Sequence, residues 1–283
     1  MSDAVGEVSR LTLIRHLAAA AHLGPSLVVV VVAAGLAISA DASLGQTLLV
    51  VGAVGTGQLS IGWSNDWLDD RAGRDSGRPD KPLADGSLAT GAVGTAAGVA
   101  LAACVLLSLA LGPLAAGIHL LAVAGGWAYN LGLKATAASV LPYLLSFGLL
   151  PSVVTASVVG TLAPLWAAAT GAAFGAGVHF ANVLPDLDRD RAAGVRGLPQ
   201  RVGAVGSTVA TIGCLAAGTA VILAGAPSFA PALRVGAGLV CVVLLAALGV
   251  AAVRGARELA YRLAMLTGLV LVALLVAADV RVA

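Results

Sequence analysis

Runs of apolar residues long enough to cross a bilayer, about 17–25 residues each, recur along the chain. They fall near 22–40, 44–66, 88–110, 114–133, 137–156, 162–185, 203–224, 233–253 and 259–280. The intervals between them hold turn and helix-breaking residues: Ala40-Asp41, Gly112-Pro113, Gly160 to Pro164, and Gly225 to Pro231. The pattern predicts nine membrane helices. The fifth is the weakest, because Pro142 and Pro151 interrupt it. Arg15 followed by an apolar run ending near Ala40-Asp41-Ala42 has the outline of a cleavable leader. The many spans that follow, and the flanking Arg10 and Arg15, favour a retained first helix instead.

A hydrophobic content of 59% and a mean hydropathy of +0.98 exclude an ordinary soluble domain. The sixteen Lys and Arg residues are segregated, with fourteen before helix 1 or in the 2–3, 4–5, 6–7 and 8–9 connections. Only Arg234 and Arg281 fall on the other side. The positive-inside rule therefore puts the N-terminus in the cytoplasm and the C-terminus outside the cell membrane, which requires an odd number of spans. Cys104, Cys214 and Cys241 lie inside apolar runs without metal-type spacing and read as packing residues.

Charge changes the picture at two places. Residues 65–83 carry five of the fourteen acidic residues. Asp66, Asp69 and Asp70 share one helical face, with Asn65 one turn before Asp69. Like charges so placed repel each other, and a hard divalent cation bound through oxygen is the economical reason to keep them together. Arg71, Arg74, Arg78 and Lys81 follow and suit a phosphate-bearing ligand. The second segment begins at His179: Asn182, Asp186 and Asp190 recur at i, i+4 and i+8, ahead of Arg189, Arg191, Arg196 and Arg201. Both segments sit at predicted helix ends beside basic loops. An ion-transport pathway would place its acids nearer the middle of the helices. Each half of the chain repeats the order of acidic helix end then basic loop, a weak internal repeat. The expected architecture is a single all-α, multi-span domain over 1–283, with halves of roughly 1–135 and 136–283 around a central cavity.

The ordered set of motifs resembles the UbiA superfamily of intramembrane prenyltransferases. Asn65, Asp66 and Asp69 match the family's Asn-Asp-x-x-Asp-x-x-x-Asp motif, and Asp186 with Asp190 matches its Asp-x-x-x-Asp motif. Asp80-Lys81-Pro82-Leu83 is similar to the basic-Pro-Leu segment after the first motif, and Tyr129 with Lys134 to the family's Tyr and Lys pair between helices 4 and 5. Gly73 stands where the first motif has its last Asp, and Asp70 or Asp75, with Asp75 favoured, is expected to take that role.

The resemblance implies that two Mg²⁺ ions, held by Asn65, Asp66, Asp69, Asp75, Asp186 and Asp190, bind a prenyl diphosphate. Arg15, Arg74, Arg78, Lys81 and Lys134 would face the diphosphate, and Tyr129 and Lys134 would act with Asp69 and Asp186 in catalysis. The implied reaction passes the prenyl group to a small aromatic or quinone-like acceptor within the membrane, at the cytoplasmic side. Cyclisation of the prenyl diphosphate without an acceptor is the alternative. No nucleic-acid or protein partner is implied.

Overall fold

The computed structural model describes residues 15–281 except Ala19, His22, 74–82, 84–87 and Ala193. Its elements are helical throughout the described residues: α1 (Leu23–Ser39), α2 (Leu44–Arg71), α3 (Thr90–Ala110), α4 (Pro113–Leu131), a 3₁₀ turn at Leu133–Ala135, and α5 (Leu141–Val158). Then come α6 (Leu165–Val183), the short α7 (Leu187–Ala192), α8 (Leu198–Gly225), α9 (Pro231–Val253) and α10 (Arg257–Ala277).

Nine of these are long helices at the nine expected places, and seven of them are long and apolar enough to cross a membrane. The two that fall short do so for different reasons. Helix α1, with 17 residues, is the shortest of the nine. Helix α6 carries Thr170, His179, Asn182 and three glycines, and it buries Ala167, Thr170, Gly171, Gly175 and His179 against its neighbours. A helix that faces the bundle interior need not be as apolar as one that faces lipid.

Local chemistry sets the helix ends. Ser43 and Gln46 form a reciprocal capping box at the start of α2, with the Gln46 N–H 3.2 Å from Ser43 Oγ and the Ser43 N–H 3.0 Å from Gln46 Oε1. Pro113, Pro142, Pro199 and Pro231 each open a helix, where the missing N–H would be unpaired anyway. Pro142 thus starts α5 rather than interrupting it, and α5 runs on through Pro151. Helix α8 is broken at Gly203, whose φ of 77° and ψ of −177° leave the helical region. Its first turns, Leu198–Val202, therefore lie against the second acidic segment, and the expected span from 203 begins at the break.

Each long helix packs on the next, and α10 returns to α1 to close a ring, with α1 touching α5 and α6 touching α10 across it. One close approach between α5 and α6 serves the site. A Cβ on Gly175 would lie 2.5 Å from the Tyr143 carbonyl oxygen and 2.8 Å from the Phe147 ring. Only glycine allows the two backbones to meet there, and this sets Tyr143 and Phe147 beside α6. Hydroxyls inside the helices are returned to the backbone one turn back, as from Thr56, Thr170, Thr211, Thr219 and Thr267.

The end of the bundle opposite the acidic segments is fastened by its two cations. Arg234 donates to the carbonyls of Leu223, Ala226 and Phe229 at the end of α8. Arg281 bridges Asp41 and Asp279. The arginines that stand apart in the charge count thus cap a helix and join the two ends of the ring.

Candidate active site

The first acidic segment is the last two turns of α2. Asp66 is 2% exposed, and the neighbouring Asn65 amide lies 3.5 Å from Asp66 Oδ1. Asp69 turns toward the chain after α4. There Lys134 Nζ lies 2.5 Å from Asp69 Oδ1 and 3.1 Å from Asn65 Oδ1. Both partners of the ion pair keep 14% side-chain exposure, so solvent screens them less than a surface pair. Asp70 differs from the sequence expectation of one shared acidic face: its Oδ2 accepts a 2.6 Å hydrogen bond from Thr90 Oγ1 at the start of α3. Helix α2 stops at Arg71, Ala72 caps it, and Gly73 follows with φ of +68°, a left-handed conformation that glycine adopts at little cost.

Lys134 is held by the 3₁₀ turn after α4, which Gly132 introduces with φ of 153°. One face of that turn abuts the start of α8: a Cβ on Gly197 would lie 2.6 Å from the Lys134 carbonyl oxygen. Ser139 ties the same junction, since its Oγ accepts from the Leu198 N–H at 2.9 Å and contacts His179 Nε2 at 3.0 Å. The lysine therefore has its backbone beside the second segment and its charge in the first.

The second segment is not one continuous helical face. Helix α6 ends at Val183, Leu184–Asp186 form a turn at Pro185, and α7 begins at Leu187. A proline's missing N–H and fixed ring favour such a break. Asp186 then stands just before α7, with the Asp190 N–H donating to its carbonyl at 2.9 Å. Its carboxylate is half exposed and pairs with Arg189 at 2.7 Å. Asp190 is held by Gln200, whose Nε2 donates to Oδ2 at 3.0 Å. Arg191 clamps the Gln200 carbonyl from Nε at 2.8 Å and Nη2 at 2.6 Å. Asp188 faces away and pairs with Arg257 of α10 at 2.6 Å.

Between the two segments stands an aromatic wall. Tyr129 lies within electrostatic range of both Asp69 and Asp190 and in polar contact with Tyr143, which also contacts the amide of Asn182. The Tyr129 and Tyr143 rings meet edge to face at 5.4 Å, Tyr143 lies 4.7 Å from the His179 ring, and it stacks on Phe147 at 6.3 Å. Phe147 meets Phe174 at 5.1 Å. Those two phenylalanines also line an apolar cleft with Val28, Val32, Leu271 and Leu275, where α1 and α10 meet. The wall thus runs from the acids to a cleft at the edge of the bundle.

Among the sequence candidates, the structure brings Asn65, Asp66, Asp69, Tyr129 and Lys134 together, with Asp190 near Tyr129 and Asp186 one turn before Asp190. Arg15 is exposed on a helical turn at 15–18. Arg74, Asp75, Arg78 and Lys81 lie outside the described residues, as does His22. Arg71 lies over the Trp67 ring at 5.3 Å. Trp63 and Trp67 pack with Leu83, Leu88 and Val93 rather than lining the site. Trp127 Nε1 donates to Ser60 Oγ at 3.3 Å. Sequence reasoning passed over Tyr143, Phe147, Ser139 and Gln200, and also Asn130, which donates to Ser64 and to the Ile61 carbonyl. Asn130 did carry a signal, since an amide in an apolar span needs a partner, whereas Gln200 lies in the basic connection before the span from 203.

The model of the UbiA prenyltransferase family matches residues 26–262. The chain belongs to the UbiA prenyltransferase family. Solved structures of UbiA homologues share its fold. One from Aeropyrum pernix K1 superposes with a TM-score of 0.68 at 18% identity, covering 88% of this chain and 97% of that one. Another, from Archaeoglobus fulgidus and bound to GPP and Mg²⁺, gives 0.67 at 15% identity over 94% and 99%. A structure described for digeranylgeranylglyceryl phosphate synthase in membranes gives 0.60 at 14% identity over 97% and 98%. Comparison with curated proteins returns no match.

Proposed function

We propose that this UbiA family member transfers a prenyl group from a prenyl diphosphate to a small aromatic or quinone-like acceptor, with Mg²⁺ as cofactor. The observation that carries the reading is Lys134, which joins Asp69 and Asn65 of the first acidic segment from a turn seated against the loop of the second. The segments lie far apart in sequence and meet at one end of the bundle, the condition for acting on one ligand.

The donor set fits a hard divalent cation. Asn65, Asp66 and Asp69 offer oxygen ligands within two helical turns, and an ammonium group already sits between two of them. Asp186 and Asp190 supply the opposing carboxylates. Mg²⁺ bound there would neutralise the charge of the departing diphosphate.

The chain's own residues do the rest. Lys134 gives the diphosphate a positive charge at the protein's polar end, where charge develops as the prenyl–oxygen bond breaks. Gln200 and Arg191 keep Asp190 and its loop in place. Tyr129, Tyr143 and Phe147 present π faces beside the reacting end, which favour a cation held near them. The apolar side chains of Phe147 and Phe174 border the cleft toward which an isoprenoid tail would extend, and they keep water from the allylic cation. By the positive-inside rule the polar end is cytoplasmic.

Purified protein in nanodiscs, given dimethylallyl, geranyl and longer prenyl diphosphates with Mg²⁺ and a panel of phenolic and quinone-like acceptors, tests this by product mass. A prenylated acceptor is expected. A cyclised hydrocarbon formed equally well without acceptor would replace transfer by cyclisation.

A further inference from the structure

Asp66 and Asp69 stand three residues apart on one helix at the rim of a low-polarity bundle. Their repulsion has to be offset before any ligand arrives, and Lys134 offsets it. Its ammonium contacts Asp69 and Asn65, one helical turn apart, at 2.5 and 3.1 Å. These are the oxygens that the proposed function assigns to a metal ion, and the inference rests on that assignment. An ammonium at 2.5 Å and a divalent cation on the same carboxylate oxygen would repel each other strongly in a poorly screened site. One must leave for the other to bind.

The backbone of Lys134 is poorly placed to leave. It lies in a 3₁₀ turn opened by Gly132, with its carbonyl close against Gly197. The four-carbon stem is flexible, however, and lets the charge swing while the turn stays in place.

We propose that Lys134 is an internal counter-cation of the first acidic segment. With no substrate present it competes with the metal for Asn65 and Asp69. When metal and diphosphate arrive together, it transfers to the diphosphate. The site then holds a metal ion alone only weakly and loads metal and diphosphate cooperatively, because the diphosphate gives the displaced ammonium a new partner. The lysine is thus a loading residue as well as a diphosphate contact.

Mn²⁺ binding to detergent-solubilised protein without any diphosphate, followed by the EPR signal of free Mn²⁺, tests this apart from turnover. Lys134→Met should bind Mn²⁺ about tenfold more tightly than the parent, an energy of roughly 1.4 kcal/mol. Lys134→Arg, which keeps the charge, should bind no more tightly than the parent. Lys134→Gln carries the same comparison if the Met variant does not purify as a monodisperse species. Equal or weaker Mn²⁺ binding by the neutral variants, with clear binding by the parent, overturns the counter-cation role and leaves the proposed function standing. Absence of Mn²⁺ binding in parent and neutral variants alike overturns the metal assignment itself, and this inference with it.

Discussion

Gly197→Ala isolates the contact that joins the two acidic segments. Gly197 has φ of −63° and ψ of 172°, which alanine adopts without backbone strain, so any effect comes from the added methyl group. That carbon would lie 2.6 Å from the Lys134 carbonyl oxygen, 2.7 Å from Gln200 Oε1 and 3.3 Å from Ser139 Oγ. Real Cβ atoms essentially never approach closer than 3.0 Å, so something must move. The Gln200 side chain can rotate, at the cost of its bond to Asp190. The Lys134 carbonyl belongs to a turn and moves only with its backbone. Overpacking of this kind costs about 1–3 kcal/mol. Displacing catalytic groups by about 1 Å costs on the order of 100-fold in rate. The expectation is therefore a modest loss of thermal stability with a disproportionate loss of prenyl transfer. Gly213→Ala is the control: nothing lies within 4 Å of its Cβ, and Ala for Gly in a helix interior stabilises by roughly 0.5–1 kcal/mol. Thermal unfolding in detergent and product formation in nanodiscs read the two effects. If Gly197→Ala retained parental turnover and stability, the junction would not be the rigid bridge described above.

Asp69→Ala should reduce turnover by about 100-fold or more, whereas Asp70→Ala, which mainly loses the Thr90 bond, should retain most activity; equal losses in a turnover assay would contradict the divergence of the two side chains. Asp75→Ala should raise the Mg²⁺ requirement more than Asp70→Ala does, and Gly73→Asp should restore some activity to Asp75→Ala despite the left-handed backbone at residue 73; Mg²⁺ titrations matching the parent in both single variants would rule out either aspartate as the missing ligand. Cysteines introduced within 191–201 should label from the cytoplasmic side and one at 227–229 from outside, and the reverse pattern would invert the assigned topology. Asp279 is held below its usual value of 3.8 by hydrogen bonds from Arg281. A depressed carboxylate stabilises the fold above that value and ceases to do so as pH falls through its own lower value. The stability penalty of Asp279→Asn should accordingly be steady at neutral pH and fade below pH 3.8, and a penalty unchanged by acid would dissociate the Arg281 clasp from the carboxylate's charge.

Most of the helical frame was legible because lipid imposes a simple rule: apolar runs of fixed length, punctuated by Gly and Pro. Pro113 and Pro231 marked helix starts for that reason. The weakness assigned to the fifth helix came from treating Pro142 as a breaker when it occupies the first turn, where proline is well tolerated. Asn65, Asp66 and Asp69 stood out because carboxylates are costly at the end of an apolar run, and their convergence with Lys134 followed from the parity of the spans. Asp70 was misplaced onto their shared face because helical spacing says which residues are neighbours and not which neighbouring helix offers a partner, here Thr90. The break at Pro185 also escaped, since i, i+4 spacing survives a tight turn and reads the same. Tyr143 and Phe147 were hidden for a different reason. Their place beside His179 depends on Gly175 letting two backbones meet, a contact between helices that no spacing within one helix reveals.

The central claim is that the end of α2 and the segment after α6 form one site for a prenyl diphosphate with Mg²⁺. Calorimetric titration of a non-ionisable geranyl thiolodiphosphate into the purified parent, Asp69→Ala and Asp186→Ala proteins, each with Mg²⁺ and with EDTA, tests it most directly. The account predicts binding by the parent only with Mg²⁺, and its loss in both variants although the two residues lie on different segments. Parental binding in EDTA, or unimpaired binding by Asp186→Ala, would contradict it.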